Sequence, residues 1–330
     1  MSSGWKKTLL RSGLFLLLGA LLYWAFKNAP LADIWNTIRR LQAWQLAVLA
    51  VLNAVIYTLI TLRWWIIVRA EARSVPFAAL LAARLAVFGV SYFTLGPQVG
   101  GEPLQVLALQ RGQGLTYTRA TASVLMDKLL EFLVNFLLLA FGLAAVLRAG
   151  FVLEGAAQVT GSLFLILALV VWPPVHILLM TRRIYPLNRL ARALPFGGFI
   201  AYRRFLRFLR ASEWLAGNFC RCHLGALLAS LAVSLLAGVG MLMEYALMLS
   251  FLGLSLPFWS IVVGWTSGWL SFLVPLPGGL GALEASQVFA LGFFGAPAAM
   301  AISLTLLMRA RDLLIAGLGL LLAFLGVDKG

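Results

Sequence analysis

Two glutamates follow proline and paired glycines within otherwise apolar parts of this sequence. Glu102 stands in GPQVGGEPLQ, and Glu284 stands in VPLPGGLGALEASQ. Proline and glycine interrupt helices, and a carboxylate at membrane depth costs free energy unless it has a partner or contacts water. Irregular backbone is tolerated in a bilayer where protein buries it or where it lines a water-filled cavity. The two segments therefore predict a polar site built from interrupted helices.

Further ionisable residues fall inside long apolar runs. Asp127 and Glu131 are four residues apart, so they share one helix face, and Lys128 can reach Glu131. We also expect Arg309 to pair with Asp312, and Arg311 to point away toward the interface. The candidate substrate-binding residues are Glu102, Asp127, Lys128, Glu131, Glu244, Glu284, Arg309 and Asp312. The alternative for each is a structural ion pair between helices, most of all for Lys128 and Glu131.

The elements that must position these residues are membrane helices. The chain has 330 residues, of which 62% are hydrophobic and 11% charged, and its mean hydropathy is +0.97. We predict an all-α, polytopic membrane protein with about eight transmembrane helices and two broken or re-entrant segments, in a single transmembrane domain. The predicted spans are Thr8–Phe26, Leu46–Ile67, Ala78–Leu95, Thr121–Leu147, Val159–Met180, Leu224–Leu252, Phe258–Val274 and Ala298–Leu325.

The two broken segments form part of an internal repeat. A shift of 182 residues places Glu102 on Glu284 and Asp127 on Arg309. Each copy runs from broken segment to acid, half-helix and charged helix, at about residues 78–147 and 258–325. Such matched discontinuous helices are typical of a transporter's binding site. The expected broken-helix positions are Pro97, Gly100, Gly101, Pro277, Gly278, Gly279 and Gly281. Two structural kinks are the alternative.

The net charge of +15 favours contact with an anionic membrane surface over nucleic acid. Arginine alternates with phenylalanine and leucine in the Arg-rich segment, residues 182–221, as in an amphipathic helix that lies on anionic lipid. Placing this segment in the cytoplasm requires one broken segment to make a net crossing. The repeats are then inverted, both termini are cytoplasmic, and the protein is a multi-pass protein of the inner (plasma) membrane.

No pattern in the sequence indicates catalysis, a cofactor or a metal. Cys220, Cys222 and His223 form a Cys-x-Cys-His cluster, but no fourth zinc ligand lies nearby, and adjacent positions on a helix point in different directions. Phosphate-binding loops, zinc-protease motifs and Ser-His-Asp sets are missing from the sequence. We therefore expect a protein that is not an enzyme.

The broken segments and the charged helices together resemble the lysylphosphatidylglycerol synthase transmembrane-region family. The resemblance rests on GPQVGGEPLQVLALQRG with SVLMDKLLEFLV, and on VPLPGGLGALEASQ with LTLLMRARDLL. It implies a flippase-like protein that moves a polar-headed lipid, such as aminoacylated phosphatidylglycerol, a polyprenyl-phosphate sugar or a hopanoid. Full-length synthases carry a soluble aminoacyltransferase domain, whereas this sequence ends at FLGVDKG, so the resemblance implies transport without synthesis.

The leading hypothesis is a lipid flippase whose half-helix N-termini and Arg309 hold a phosphate, while the acids bind a cationic head group or carry protons. In this hypothesis Glu102 and Glu284 face one cavity, and transport runs downhill or on proton coupling. A small-anion secondary transporter is one alternative. A non-transporting scaffold for a glycosyltransferase or lipid-modifying enzyme is another. A partner enzyme or a homodimer is compatible with each.

Overall fold

A computed structural model of the protein describes residue 39 and residues 41–72, 75–93, 101–148, 156–195, 199–272 and 281–327. These residues form helices and short connections, without a strand in the ranges just given. The prediction of an all-helical chain is therefore confirmed for this part. The predicted first span, Thr8–Phe26, lies outside it, as do Pro97, Gly100, Pro277, Gly278 and Gly279.

The helices are numbered here in chain order. They are α1 (Ala43–Glu71), α2 (Phe77–Phe93), α3 (Glu102–Gln113), α4 (Tyr117–Arg148), α5 (Ala156–Thr181), α6 (Pro186–Arg192), α7 (Ile200–Cys222), α8 (Leu224–Phe251), α9 (Phe258–Ser271), α10 (Ala282–Phe293) and α11 (Ala298–Val327). Each predicted span from the second onward coincides with one long helix, because a long apolar run satisfies its backbone groups internally only as a helix.

Two of the described helices, α1 and α8, are long and apolar enough to cross a bilayer by themselves. A third candidate is the bent pair of Leu167–Thr181 with α6, whose axes differ by 94°. The count of eight spans stays a prediction. What is established is a membrane protein with several apolar helices, whose large outward side chains, such as Phe289 and Leu314, suit a lipid environment.

Both interrupted segments end one helix and begin a short new one. Helix α2 ends at Phe93 and α3 begins at Glu102, while α9 ends at Ser271 and α10 begins at Ala282. Helices α3 and α10 have 12 residues each. Gly281 precedes α10 with φ +79°, a left-handed conformation that glycine adopts without steric cost. Gly101 precedes α3, and a Cβ at Gly101 would collide with the side chain of Ser91 in α2.

The repeat involves four helices in each half of the chain. Adding 182 residues to the bounds of α1, α2, α3 and α4 reaches those of α8, α9, α10 and α11 within four residues. The packing is reciprocal: α1 packs against α8, α2 packs against α11, and α9 packs against α4. Helices α5, α6 and α7 connect the two halves and pack on α4 and on one another.

Helix α4 lies at the centre of the described bundle and contacts α1, α3, α5, α7, α8 and α9. Its apolar residues contribute to two clusters. Met126, Leu129 and Leu130 pack with α1, α5 and α7, whereas Phe136 and Leu139 pack with α8, α9 and α11. The polar face of α4 therefore points into the bundle between these clusters.

Candidate functional site

A polar cavity of about 230 Å³ lies between the two halves of the bundle. Helices α1, α2, α3, α4, α8, α9 and α11 contribute to its walls. Among the described residues, four cationic and four anionic side chains line it: Arg63, Arg84, Lys128, Arg311, Glu102, Glu131, Glu244 and Asp312. A space with this many charges inside a bundle of apolar helices is unusual, because each charge at membrane depth needs a partner.

Asp127 supports one wall of the cavity from behind. It is fully buried, and its two oxygens accept hydrogen bonds from Arg63 Nε at 2.7 Å and from Arg84 Nη2 at 2.6 Å. Arg63 also donates to Ser234 at 2.9 Å and to Glu131 at 3.1 Å. Each wall arginine is thereby held in place by the same carboxylate, which fixes where positive charge meets the cavity.

Lys128 joins the first half-helix to this wall. Its Nζ lies 3.0 Å from Glu131 Oε1 and 3.5 Å from Glu102 Oε1. The predicted Lys128–Glu131 pair is therefore present. Glu102 is the first residue of α3, and about a third of its side chain remains exposed.

A second charged group lies between α1, α8 and α11. Arg311 binds Glu244 at 2.8 Å and Asp312 at 2.8 Å, and Asn53 donates to Glu244 at 2.7 Å. The expectation that Arg311 points toward the interface is wrong, because the carboxylate of Glu244 on the neighbouring helix holds it at the cavity. The structure pairs Asp312 with Arg311, next to it in sequence, and Arg309 faces another helix.

Glu284 and Arg309 form a separate pair beside the second half-helix. The guanidinium of Arg309 donates from Nε at 2.5 Å and from Nη2 at 2.9 Å to the two carboxylate oxygens of Glu284. Glu284 also accepts the Gly281 N–H at 2.9 Å and so caps α10. Neither residue is among the described residues that line the cavity, so the structure does not bring Glu284 to the wall that holds Glu102.

The two acid–cation pairs nevertheless correspond. In each half, an acid in the first turn of the 12-residue helix pairs with a cation on the following long helix: Glu102 with Lys128, and Glu284 with Arg309. The predicted correspondence of Asp127 with Arg309 is one residue away from this functional match. Asp127 faces α1 and α2 instead.

Sequence reasoning missed several residues of the site. Arg63 lies within the second predicted span, in TLRWW, and an arginine inside an apolar run is the signal that should have identified it. Gln105 and Gln287 each follow the repeat's glutamate by three residues, in EPLQ and EASQ. Gln287 is fully buried, accepts from the Tyr245 hydroxyl at 2.6 Å and donates to the Gly264 carbonyl at 2.9 Å.

The Cys-x-Cys-His cluster lies at the end of α7, away from the cavity. Cys220 is buried and Cys222 is exposed. Burial raises the pKa of the Cys220 thiol to about 11, which disfavours the thiolate that a zinc site needs. No group of three or more metal-ligating side chains is present among the residues described here.

Comparison with known proteins adds one match. The family model described as the lysylphosphatidylglycerol synthase TM region matches residues 10–319. The comparison with curated proteins and the comparison with solved structures found no match. The family model covers nearly the whole chain, including both half-helices and every charged residue of the cavity. The chain therefore belongs to the lysylphosphatidylglycerol synthase transmembrane-region family.

Proposed function

We propose that this protein is a lipid translocator, not an enzyme, that moves the polar head group of a membrane lipid through the central cavity. The observation that carries the proposal is the cavity of about 230 Å³ lined by four cations and four anions inside an apolar bundle. Membership of a family named for a lipid synthase's membrane region supports a lipid as the cargo.

The size of the cavity suits a head group rather than a whole lipid. Pockets that enclose drug-sized molecules measure about 300–1,000 Å³, so a cavity of about 230 Å³ accommodates a smaller polar group. The acyl chains would then remain in the bilayer. The balanced charges suit a head group that combines a phosphate with an ammonium or with hydroxyl groups, because each part meets a complementary side chain.

The reciprocal packing of the two halves supports alternating access. Inverted repeats place a substrate site at the interface between them, and rocking of one half against the other exposes that site to each side in turn. The acid–cation pairs on α3–α4 and α10–α11 are equivalent elements of such repeats. In this scheme Glu102–Lys128 and Glu284–Arg309 exchange roles, and the Glu284–Arg309 pair closes the second half while Glu102 contacts the cavity. Transport runs downhill or on proton coupling.

We further propose placement in the inner (plasma) membrane with both termini in the cytoplasm. The Arg-rich helix α7 would then lie on anionic lipid at the cytoplasmic surface. A partner that makes or uses the lipid, or a second copy of this chain, is compatible with this placement.

The test is translocation of a fluorescent phosphatidylglycerol in vesicles containing the purified protein, measured as the fraction that an external quencher can reach. We expect Glu102→Gln and Glu284→Gln each to slow translocation about tenfold or more, because each removes one charge of an equivalent pair. Glu71→Gln, at the end of α1 and outside the cavity, is the matched control and should translocate like the unmodified protein.

Two outcomes would contradict the proposal. In one, protein-containing vesicles translocate lipid no faster than protein-free vesicles. In the other, both variants translocate at the unmodified rate. A second candidate, transport of a small soluble anion, is favoured by the modest cavity volume. Uptake of inorganic phosphate or a carboxylate into the same vesicles, without lipid translocation, would establish it instead.

A further inference from the structure

The amide of Gln105 is a buried polar group on the cavity wall that lacks a hydrogen-bond donor. Gln105 is 5% exposed and lines the cavity, and its Oε1 has no hydrogen-bond partner. Leaving a buried acceptor unsatisfied costs about 1–3 kcal/mol, so such atoms are rare and need an explanation.

The equivalent glutamine in the other half shows what is missing. Gln287 lies 182 residues later, and its Oε1 accepts from Tyr245 while its Nε2 donates to Gly264. The same shift places Arg63 at the position of Tyr245. Arg63 cannot replace the tyrosine hydroxyl, because its guanidinium is engaged by Asp127, Glu131 and Ser234. The first half therefore keeps the glutamine without its protein donor.

Two further buried atoms on the same wall are unsatisfied, and both are donors. They are Arg84 Nε and Trp269 Nε1, and both residues line the cavity. A phosphate oxygen accepts hydrogen bonds from such donors, whereas it offers nothing to the carbonyl oxygen of an amide. The wall thus presents two positions for an acceptor group and one position for a donor group.

We propose that Gln105 is a specificity-determining residue that accepts a hydrogen bond from the cargo, and that the cargo is a phosphate-bearing head group with an O–H or N–H donor beyond the phosphate. The inference rests on the proposed passage of a lipid head group through this cavity. Arg84 and Trp269 would face the phosphate, and Gln105 would face the donor. Gln287 has no such role, because Tyr245 occupies its amide.

The experiment compares three phospholipids with identical acyl chains on the purified full-length protein. Phosphatidylglycerol carries hydroxyl donors, phosphatidylethanolamine carries an ammonium donor, and phosphatidylethanol carries neither. Lipid retention is measured by native mass spectrometry and translocation by the vesicle assay. The variants are Gln105→Leu and Gln105→Met, which remove the amide with similar volume. Gln110→Leu, on the same helix and outside the cavity, is the control.

We expect the unmodified protein and the Gln110→Leu variant to prefer at least one donor-bearing lipid over phosphatidylethanol, on the order of tenfold. Both Gln105 variants should reduce that ratio to about one and leave phosphatidylethanol retention unchanged. A change confined to phosphatidylglycerol identifies a hydroxyl as the donor, and a change confined to phosphatidylethanolamine identifies an ammonium.

The inference is overturned if the unmodified protein does not discriminate among the three lipids, or if a folded Gln105 variant keeps the ratio. Retention that depends on Gln105 without any translocation would uphold the binding role and contradict the proposed function. Translocation with an unchanged ratio would do the reverse.

Discussion

At the scale of single residues, Asp127 determines how the charged wall is assembled. It receives hydrogen bonds from Arg63 on α1 and from Arg84 on α2, and Arg84 also stacks over Trp64 with its Cζ 5.0 Å from the ring centre. One carboxylate therefore joins three helices. Removing one partner of a buried ion pair costs more than the pair itself contributes, because the remaining charge stays buried without compensation.

We predict that Asp127→Asn lowers the free energy of unfolding by about 3–5 kcal/mol, because two buried arginines lose their shared counter-charge. Thermal unfolding in detergent, followed by the fluorescence of the buried tryptophans, measures the effect. The double variant Asp127→Asn with Arg84→Gln should lose less than the sum of the two single variants, because it removes a charge from each side.

Glu71→Gln is the control, since Glu71 lies at the end of α1 and away from this wall. Strict additivity of the two single variants would show that Asp127 and Arg84 do not depend on each other. An unchanged melting temperature for Asp127→Asn would show that the wall arginines are compensated elsewhere.

At the scale of elements, the close packing of α2 on α11 joins the two halves. A Cβ added to Gly89 would lie 2.7 Å from the carbonyl oxygen of Ala316, and one added to Gly319 would collide with the carbonyl of Leu85. Small residues at such contacts allow backbones in membranes to approach closely. Helix α2 carries Arg84 and α11 carries Arg311, so this contact also sets the width of the cavity.

We predict that Gly319→Ala destabilises the protein by about 1–3 kcal/mol, because the colliding atom is a backbone carbonyl that cannot rotate away. Gly317→Ala on the same helix is the matched control. A Cβ there meets nothing within 4 Å. This variant should be neutral or more stable by up to about 1 kcal/mol through helix propensity. Equal melting temperatures for the two variants would contradict the packing described here.

At the scale of the whole molecule, the Arg-rich helix α7 indicates how the protein sits in its membrane. Arg203, Arg204, Arg207 and Arg210 are on its exposed side, whereas Ala216, Phe219 and Cys220 pack against the bundle. Buried Glu213 accepts the N–H groups of Leu187 and Asn188, which attaches α6 to α7. The arginines are therefore held on one surface, where each is worth about 1 kcal/mol of attraction to anionic lipid.

We predict that α7 lies on the cytoplasmic side, because positive charge accumulates there. In a variant whose two natural cysteines are replaced by serine, Arg204→Cys should resist a membrane-impermeant thiol reagent added outside intact cells. Ser255→Cys, exposed between α8 and α9, should react, because α8 begins beside α7 and is long enough to cross. Labelling at residue 204 without labelling at residue 255 would reverse the orientation.

The sequence by itself determined the class of the protein and the positions of its described long helices. Apolar runs long enough to span a bilayer can satisfy their backbone only as helices, so periodicity and length sufficed for helices such as α4 and α8. It also located both interruptions, because proline and paired glycine act on the local backbone. The Lys128–Glu131 pair was accessible for the same reason, since its two members are separated by less than one turn.

Only the tertiary structure decided which charges meet across helices. Arg63 reaches Asp127 over 64 residues of sequence, and Asn53 reaches Glu244 over 191. These contacts depend on the rotation and depth of each helix, which packing such as that at Gly89 and Gly319 sets and which hydropathy does not encode. The same physics turned Arg311 toward Glu244, paired Arg309 with Glu284 outside the cavity, and left Gln105 without the tyrosine that satisfies Gln287.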